Sequence, residues 1–174
     1  IGGTGLVGSH VVQGLVAKGE QVHVLTRSAD KADGFPLGAS GIIGDLHKPE
    51  TLRWAMRGID RVFLVTPLSS TETEEGLAVV AAAKRACVRH LVYLSVYHVE
   101  QASYIPHFKS KMKIQRALRD SGMAFTVIMA NNFFQNDLLY RESILKEGVY
   151  PQPIGDIGLN RVDVRDIADA VVAT

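Results

Sequence analysis

A glycine-rich turn near the start of the chain has the spacing of a phosphate-binding loop. Glycines at positions 2, 3, 5 and 8 form both a Gly-x-Gly-x-x-Gly and a Gly-x-x-Gly-x-x-Gly pattern. Glycines at this spacing let the backbone turn tightly beside a pyrophosphate, and the helix that follows offers unpaired N–H groups to the phosphates. A dinucleotide is therefore expected here, with a purely structural turn as the alternative. The turn consists of Gly2, Gly3, Thr4, Gly5, Leu6, Val7 and Gly8.

The residues Arg27 and Ser28, at the end of the next predicted strand, indicate which dinucleotide would bind. An Asp or Glu about 20 residues beyond the glycines would bind the ribose of NAD, whereas a basic residue accommodates the 2′-phosphate of NADP. Arg27 can donate two hydrogen bonds to phosphate oxygens, and Ser28 can add a hydroxyl. We therefore predict that NADP(H) is preferred over NAD(H). A solvated loop arginine is the alternative.

Asp45 follows the short apolar run Ile42-Ile43, which reads as a third strand. The carboxyl ends of parallel strands are where ligands of open α/β folds bind, so Asp45 could accept a hydrogen bond from an adenine amino group. It could equally cap the helix expected to start near Pro49. The sequence leaves both roles open.

A predicted helix beginning near His107 places a lysine among apolar residues. One face carries His107, Lys111, Ile114 and Leu118, and the opposite face carries Lys109, Lys113, Arg116 and Asp120. An unpaired buried ammonium is costly, so Lys111 needs a partner, and the ribose of a bound nicotinamide would be one. Alternatively, its stem lies on apolar surface and its head reaches water.

These residues need a scaffold, and the hydrophobic pattern predicts one domain over residues 1–174. Helical periodicity indicates helices at 9–18, 49–57, 72–86, 108–120, 132–146 and 163–174. Alternating or continuous apolar runs indicate strands at 21–26, 42–43, 61–66, 91–95 and 125–129. Strands that alternate with helices specify an α/β fold of Rossmann type, a doubly wound parallel sheet with helices on both faces.

Both ends of the sequence are unusual for this fold. The chain begins at Ile1, without Met, and reaches the glycine turn after one residue. A strand must lead into such a turn, so we expect most of the first strand to be missing from this sequence. The last predicted helix is still running at Thr174, so a C-terminal part that binds substrate is expected to be missing as well.

Composition and charge disfavour several classes of function. The chain has 19 Lys and Arg against 18 Asp and Glu, without blocks of like charge, so neither nucleic acid nor a membrane surface is an expected partner. No apolar stretch approaches the roughly 18 residues of a membrane span. The six histidines lack metal-ligand spacing, and a Gly-x-Ser-x-Gly hydrolase elbow is absent from the sequence. The single cysteine, Cys87, is expected in the core and suits a reducing, cytoplasmic location.

Taken in order, the motifs resemble the NmrA-like branch of the atypical short-chain dehydrogenase/reductases. This family includes NADPH-dependent quinone and azo-dye reductases as well as non-catalytic redox-sensing regulators. The resemblance spans essentially the whole chain. Beyond the glycine turn and Thr26-Arg27-Ser28, it is carried by Gly44-Asp45-Leu46, Val65-Thr66-Pro67, the strand 91–95, His107-x-x-x-Lys111, the segment 132–136 and the segment 162–168.

The resemblance implies a role for each matching position. The pyrophosphate would lie on Gly2, Gly5 and Gly8, the adenosine phosphate on Arg27, and the adenine beside Asp45 and Leu46. The nicotinamide and its ribose would be bordered by Thr66, Pro67, Lys111, Asn132 and Phe133. The Arg-Pro pair that usually precedes Asn-Phe-Phe in this family is replaced by Ala130-Asn131.

Catalysis is where this sequence departs from active short-chain dehydrogenases, which use Tyr-x-x-x-Lys with the tyrosine as proton donor. His107 stands at the tyrosine position and could exchange protons near neutral pH, or it could simply begin the helix. Ser95 could orient a substrate oxygen.

The function expected from the resemblance is NADPH-dependent hydride transfer to a small planar acceptor such as a quinone. The competing hypothesis is a regulator that senses NADP(H) without turnover and acts through a protein partner or as a homodimer. A third is reduction of a carbon–carbon double bond or of a sugar-type substrate.

Overall fold

The computed structural model describes residues 1–152, 155–156 and 158–174, in which helices alternate with parallel strands. The helices are α1 (Leu6–Ala17), α2 (Ala29–Ala32), α3 (Pro49–Ala55), α4 (Glu72–Arg85), α5 (Pro106–Ser121), α6 (Arg141–Glu147) and α7 (Val164–Ala173). The strands are β1 (Val22–Thr26), β2 (Ala39–Ile43), β3 (Arg61–Leu64), β4 (His90–Val96), β5 (Ala124–Ala130), β6 (Asn132–Phe133) and β7 (Arg161–Val162).

Hydrogen bonds divide the described strands into three parallel groups. Strand β1 pairs with β2, the central group has the order β3-β4-β5, and β6 pairs with β7. Ile1 lies beside β3, where its backbone nitrogen donates to the Phe63 carbonyl at 2.6 Å and its carbonyl accepts from the Val65 N–H at 3.4 Å. The chain therefore enters the glycine turn directly from the edge of β3.

Apolar side chains of β4 point alternately to the two faces of the sheet. Leu91 and Tyr93 belong to a core cluster formed with α3, α4 and α5. Val92 and Leu94 belong to a second cluster formed with α1 and α7. Because strand side chains alternate with a period of two, one strand supplies both cores. The expected Rossmann-type α/β fold, with helices on both faces, is confirmed.

The end of α4 overturns the expectation that Cys87 is buried. The Cys87 N–H donates to the Lys84 carbonyl and the Val88 N–H to the Ala83 carbonyl, at 3.1 Å each, which is the pattern of a Schellman motif. Cys87 takes the left-handed position of this motif, with φ 56°, and is exposed. Val88 turns inward instead and is buried. The expectation of burial therefore fails at the cap position itself, and the chain returns to the core at the next residue.

Most predicted elements are confirmed within a few residues, but the helix expected over 132–146 is wrong. Residues 132–133 form β6, a 3₁₀ helix spans Phe134–Tyr140, and only Arg141–Glu147 is α-helical. The pairing of β6 with β7 accounts for the extended start, because Asn132 and Phe133 match Arg161 and Val162 in register. A partner 29 residues away is invisible to a local helical pattern. None of the helices in the described part of the chain is long and apolar enough to cross a membrane.

Candidate functional site

An open pocket of about 520 Å³ lies at the carboxyl ends of β1, β2 and β3. This is the edge where ligands of parallel α/β sheets bind. Nine of the residues expected to hold the cofactor line it: Gly2, Thr4, Gly5, Arg27, Ser28, Asp45, Leu46, Thr66 and Pro67. Further lining residues that the sequence analysis did not single out as ligands include Leu25, Thr26, Lys31, Val65 and Glu75.

The glycine turn has a shape that side chains would block. Gly2 has a left-handed φ of 79°, and a Cβ there would meet the Val65 side chain. A Cβ on Gly8 would collide with the carbonyl oxygen of Gly2. Gly5 donates to that same carbonyl at 3.0 Å and then serves as the N-cap of α1 without a capping side chain. The N-terminus of α1 therefore lies at the pocket. Because Gly5 has no side chain, it supplies no capping group to the first N–H groups of the helix.

The end of β1 presents cationic and hydroxyl groups to the pocket. Arg27 and Ser28 lie where the sequence places them, and the Ser28 N–H donates to Thr26 Oγ1 at 3.2 Å, which fixes the turn after the strand. The short helix α2 then adds Lys31, an exposed second cation in the pocket lining. Four-residue helices carry too little periodicity to be recognised from sequence, so Lys31 is missed there.

Asp45 lines the pocket and does not cap the following helix. Its Oδ1 accepts a hydrogen bond from the His47 N–H at 3.0 Å. Lys48 is the N-cap of α3 and makes no side-chain capping bond. The capping alternative for Asp45 is therefore wrong, while its adenine role stays a prediction.

Glu75, in α4, is a buried carboxylate in the lining of the pocket. Its Oε1 lies 2.9 Å from His47 Nε2, and its side chain is 8% exposed. Its Oε2 is buried without a hydrogen-bond partner among the described residues. Glu75 lies in α4, where the sequence pattern predicts a helix and assigns no role to this carboxylate.

The ammonium of Lys111 is buried, as its position on α5 predicts. It donates to Thr66 Oγ1 at 2.9 Å and to the Leu94 carbonyl at 3.3 Å, and it lies 3.0 Å from Glu72 Oε1. Its side chain is only 5% exposed, so the alternative in which the head reaches water is wrong. The partner in the structure is Glu72, and contact with a nicotinamide ribose stays a prediction.

His107 binds the other oxygen of the same carboxylate. Its Nδ1 lies 2.6 Å from Glu72 Oε2, and its side chain is 25% exposed, whereas that of Glu72 is fully buried. Thr66, which lines the pocket, donates its hydroxyl to Glu72 Oε1 at 2.7 Å. Glu72 therefore connects the pocket lining to His107. Its burial could have been predicted, because Glu72 lies seven and eleven residues before the buried Val79 and Ala83, on one face of α4.

Burial perturbs the titration of two groups in this network. Burial lowers the pKa of Lys111, and the neighbouring Glu72 carboxylate acts in the opposite direction. Burial also raises the pKa of Tyr93, whose ring centroid lies 5.2 Å from the Lys111 ammonium. Tyr93 is thus a neutral phenol at neutral pH, and the charge of Lys111 depends on Glu72.

The remaining predicted residues lie outside the pocket lining. Ser95 is buried and accepts a hydrogen bond from Gln115 Nε2 at 2.6 Å. Asn132 Oδ1 accepts from Asn136 at 3.2 Å, and Phe133 packs against the α1–α7 core. Gly3, Val7 and Gly8 are buried and Leu6 is exposed, and these four residues are not part of the pocket lining. The roles assigned to Ser95, Asn132 and Phe133 stay predictions.

Comparison with known proteins identifies relatives over the full length of the chain. The model of the NmrA-like family matches residues 1–174. A NAD(P)H azoreductase of Xenophilus azovorans is 35% identical over 175 residues, which cover 99% of this chain and 60% of that protein. The chain therefore spans about three fifths of the length of this relative.

Solved structures with the same fold are also found. An NADPH-dependent quinone oxidoreductase of Escherichia coli, solved with NADPH, superposes with a TM-score of 0.89 at 23% identity, over 98% of this chain and 62% of that one. The triphenylmethane reductase of Citrobacter sp., solved with NADP(H), gives a TM-score of 0.88 at 24% identity, over 99% and 63% of the two chains. At these identities the similarity establishes the fold.

Proposed function

This chain belongs to the NmrA-like family, and from that premise we propose that it is an NADPH-dependent oxidoreductase acting on a small planar acceptor such as a quinone. The observation that carries the proposal is the convergence of the glycine turn, Arg27, Asp45 and Thr66 on one pocket. The 35% identity to a NAD(P)H azoreductase supports the same class of reaction.

The pocket suits a dinucleotide by its shape. A Cβ on Gly2 would collide with Val65 and one on Gly8 with the Gly2 carbonyl, so the tight turn that brings this backbone to the pocket requires glycine at both positions. The uncapped N-terminus of α1 adds N–H donors and the positive end of the helix dipole. Gly2 and Gly5 would thus hold the pyrophosphate, with Asp45 and Leu46 beside the adenine.

The charges at the end of β1 favour NADP(H) over NAD(H). Arg27 and Lys31 supply two cations, and Ser28 supplies a hydroxyl, on the side of the pocket next to Asp45. A 2′-phosphate placed there would make charge-assisted hydrogen bonds, which are about twice as strong as neutral ones. An acidic residue that would repel this phosphate and bind a ribose instead is absent from positions 25 to 28.

The reacting end of the cofactor would lie near Thr66 and Pro67. When bound, the reduced nicotinamide supplies the hydride. His107 would donate the proton that a reduced quinone needs, and Lys111 would hold Thr66 and Glu72 in place. Ser95, Asn132 and Phe133 would act on the acceptor side. The acceptor is a small molecule, and the cytoplasmic location stays a prediction.

The proposal is tested by measuring binding before turnover. The protein is titrated with NADPH and with NADH, and the NADPH complex is then mixed with a set of quinones while the absorbance of the reduced nicotinamide is followed. Acceptor-dependent loss of NADPH is the expected result. Tight NADPH binding without turnover on any acceptor would contradict the proposal and indicate a sensor of NADP(H) instead.

A further inference from the structure

Glu72 is a fully buried carboxylate whose two oxygens have different partners. Oε1 faces Lys111 Nζ at 3.0 Å and the Thr66 hydroxyl at 2.7 Å. Among the described residues, Oε2 contacts only His107 Nδ1, at 2.6 Å. Neutralising a buried lysine requires one carboxylate oxygen. The second oxygen is therefore available to fix the orientation of the imidazole.

The contact at Nδ1 decides which nitrogen of His107 remains for chemistry. In a neutral imidazole, the nitrogen that is hydrogen-bonded to a carboxylate carries the proton. The other nitrogen is then the one that exchanges protons with its surroundings. Among the described residues, the structure gives Nε2 of His107 no hydrogen-bond partner, and the side chain is 25% exposed. Nε2 is therefore the ring nitrogen that is left to exchange a proton with a bound molecule or water.

The surroundings of Glu72 make this arrangement rigid. The ammonium of Lys111 and the hydroxyl of Thr66 hold Oε1 from α5 and from the segment after β3. Helices α4 and α5 pack closely at Gly76, where a Cβ would collide with the Ile114 side chain. The carboxylate thus has little freedom to turn away from His107.

We propose that Glu72 is the positioning residue of this site, which holds Nδ1 of His107 so that Nε2 delivers a proton to the reduced acceptor. The proposal rests on the reductase function proposed above. Hydride addition to a quinone gives a hydroquinone monoanion. The Nε2–H bond of the imidazolium then breaks and an O–H bond forms on the acceptor. The neutral imidazole keeps its Nδ1 proton on Glu72 and regains the Nε2 proton from water.

Two acceptors of different chemistry separate this role from a structural one. A neutral quinone needs a hydride and a proton, whereas a cationic triarylmethane dye becomes neutral on receiving a hydride alone. The variants are Glu72→Gln and His107→Asn, the second of which keeps a donor near the Nδ1 position but has no second nitrogen to protonate an acceptor. Glu74→Gln, an exposed position on the same helix, is the matched control.

The expected result is a larger loss of activity with the quinone than with the cationic dye. Both variants should lower kcat for the quinone by roughly 10²-fold, the usual contribution of a general acid. Their kcat for the cationic dye should fall much less, because the dye needs no proton, and Glu74→Gln should change neither kcat. Equal losses for the two acceptors, or no loss for either, would overturn the role of Glu72. An unmodified protein that consumes no NADPH with either acceptor would instead overturn the reductase function.

A second measurement needs neither cofactor nor turnover. Nitrogen chemical shifts of ¹⁵N-histidine-labelled protein report which ring nitrogen of His107 carries the proton, and His107→Asn assigns the signal. The unmodified protein should show the neutral ring protonated at Nδ1. Glu72→Leu should move the proton to Nε2, with Glu74→Leu as control. A tautomer that is unchanged in a folded Glu72→Leu protein would refute the positioning role. If the Glu72 variants do not fold, the comparison of the two acceptors is still made with His107→Asn.

Discussion

At the residue scale, the candidate site depends on how its buried charges are paired. The side chains of Lys111 and Glu72 are 5% and 0% exposed, so solvent cannot compensate the charge of one residue when the other is removed. Removing one partner of a buried pair leaves an uncompensated charge, which typically destabilises a protein by about 3–5 kcal/mol. The network is therefore expected to be sensitive both in stability and in function.

Replacing Lys111 with Met should affect stability and cofactor binding together. We expect a loss of about 3 kcal/mol or more in the free energy of unfolding, because Glu72 remains buried without its ammonium. We also expect a higher Kd for NADPH. Chemical denaturation and cofactor titration measure the two effects, with the exposed Lys113→Met on the same helix as control. An unchanged Kd in a folded variant would leave Lys111 a structural role only.

Replacing Arg27 with Ala should separate the two cofactors. Loss of a charged hydrogen bond to a 2′-phosphate corresponds to about 1.5–3 kcal/mol, so Kd for NADPH should rise roughly 10- to 100-fold. Kd for NADH, which lacks that phosphate, should change little. Fluorescence titration with both cofactors is the measurement. Equal losses for NADPH and NADH would remove Arg27 from phosphate recognition.

At the element scale, the contact between α4 and α5 brings Glu72 to Lys111 and His107. Gly76 lies one turn after Glu72, and its missing side chain lets Ile114 approach the helix backbone. Ile114 in turn follows Lys111 on the buried face of α5. The buried faces of α4 and α5, which the periodicity of the sequence predicts, therefore meet at a position where only glycine fits.

Gly76→Ala should push the two helices apart. Overpacking of this kind typically costs about 1–3 kcal/mol, and the shift should lengthen the contacts of Glu72 with α5. Thermal unfolding should show a lower Tm, and quinone reduction should fall more than reduction of the cationic dye. The control is Gly34→Ala, at a glycine whose added Cβ would meet no atom within 4 Å. A variant with unchanged Tm and unchanged activity would show that the helices do not need the glycine.

At the scale of the whole molecule, two apolar cores cover the two faces of the sheet, and the pocket lies at the carboxyl edge of the sheet. The core between α1 and α7 includes Val11, Val164 and Ile167, and these residues do not line the pocket. This core therefore contributes to stability without lining the pocket, and changes in α7 should lower the stability of the protein without weakening cofactor binding.

Ile167→Ala tests this separation. Ile167 is 3% exposed, and truncating a buried isoleucine typically costs about 2–5 kcal/mol. The free energy of unfolding should fall by that amount, while Kd for NADPH, measured well below the unfolding transition, should stay the same. Asp169→Ala, exposed on the same helix, should change neither. A large rise in Kd for Ile167→Ala would show that α7 is coupled to the pocket.

The sequence by itself determined the features that depend on short stretches of chain. The glycine spacing requires a tight turn, the alternation of apolar runs requires a parallel sheet covered on both faces, and Arg27 follows its strand at a fixed distance. Helical periodicity placed Lys111 on the buried face of α5, and the structure agrees. Each of these follows from backbone geometry over a few turns or one strand.

Only the tertiary structure decided which distant groups meet. Glu72 and His107 are 35 residues apart, and Thr66 and Lys111 are 45 apart, so no local pattern pairs them. The exposure of Cys87 depends on a helix cap, and the extended start of the segment 132–146 depends on pairing with β7. The physical reason is the same in each case. A buried polar group or an edge strand is stabilised by its partner, and that partner is present only once the chain has folded.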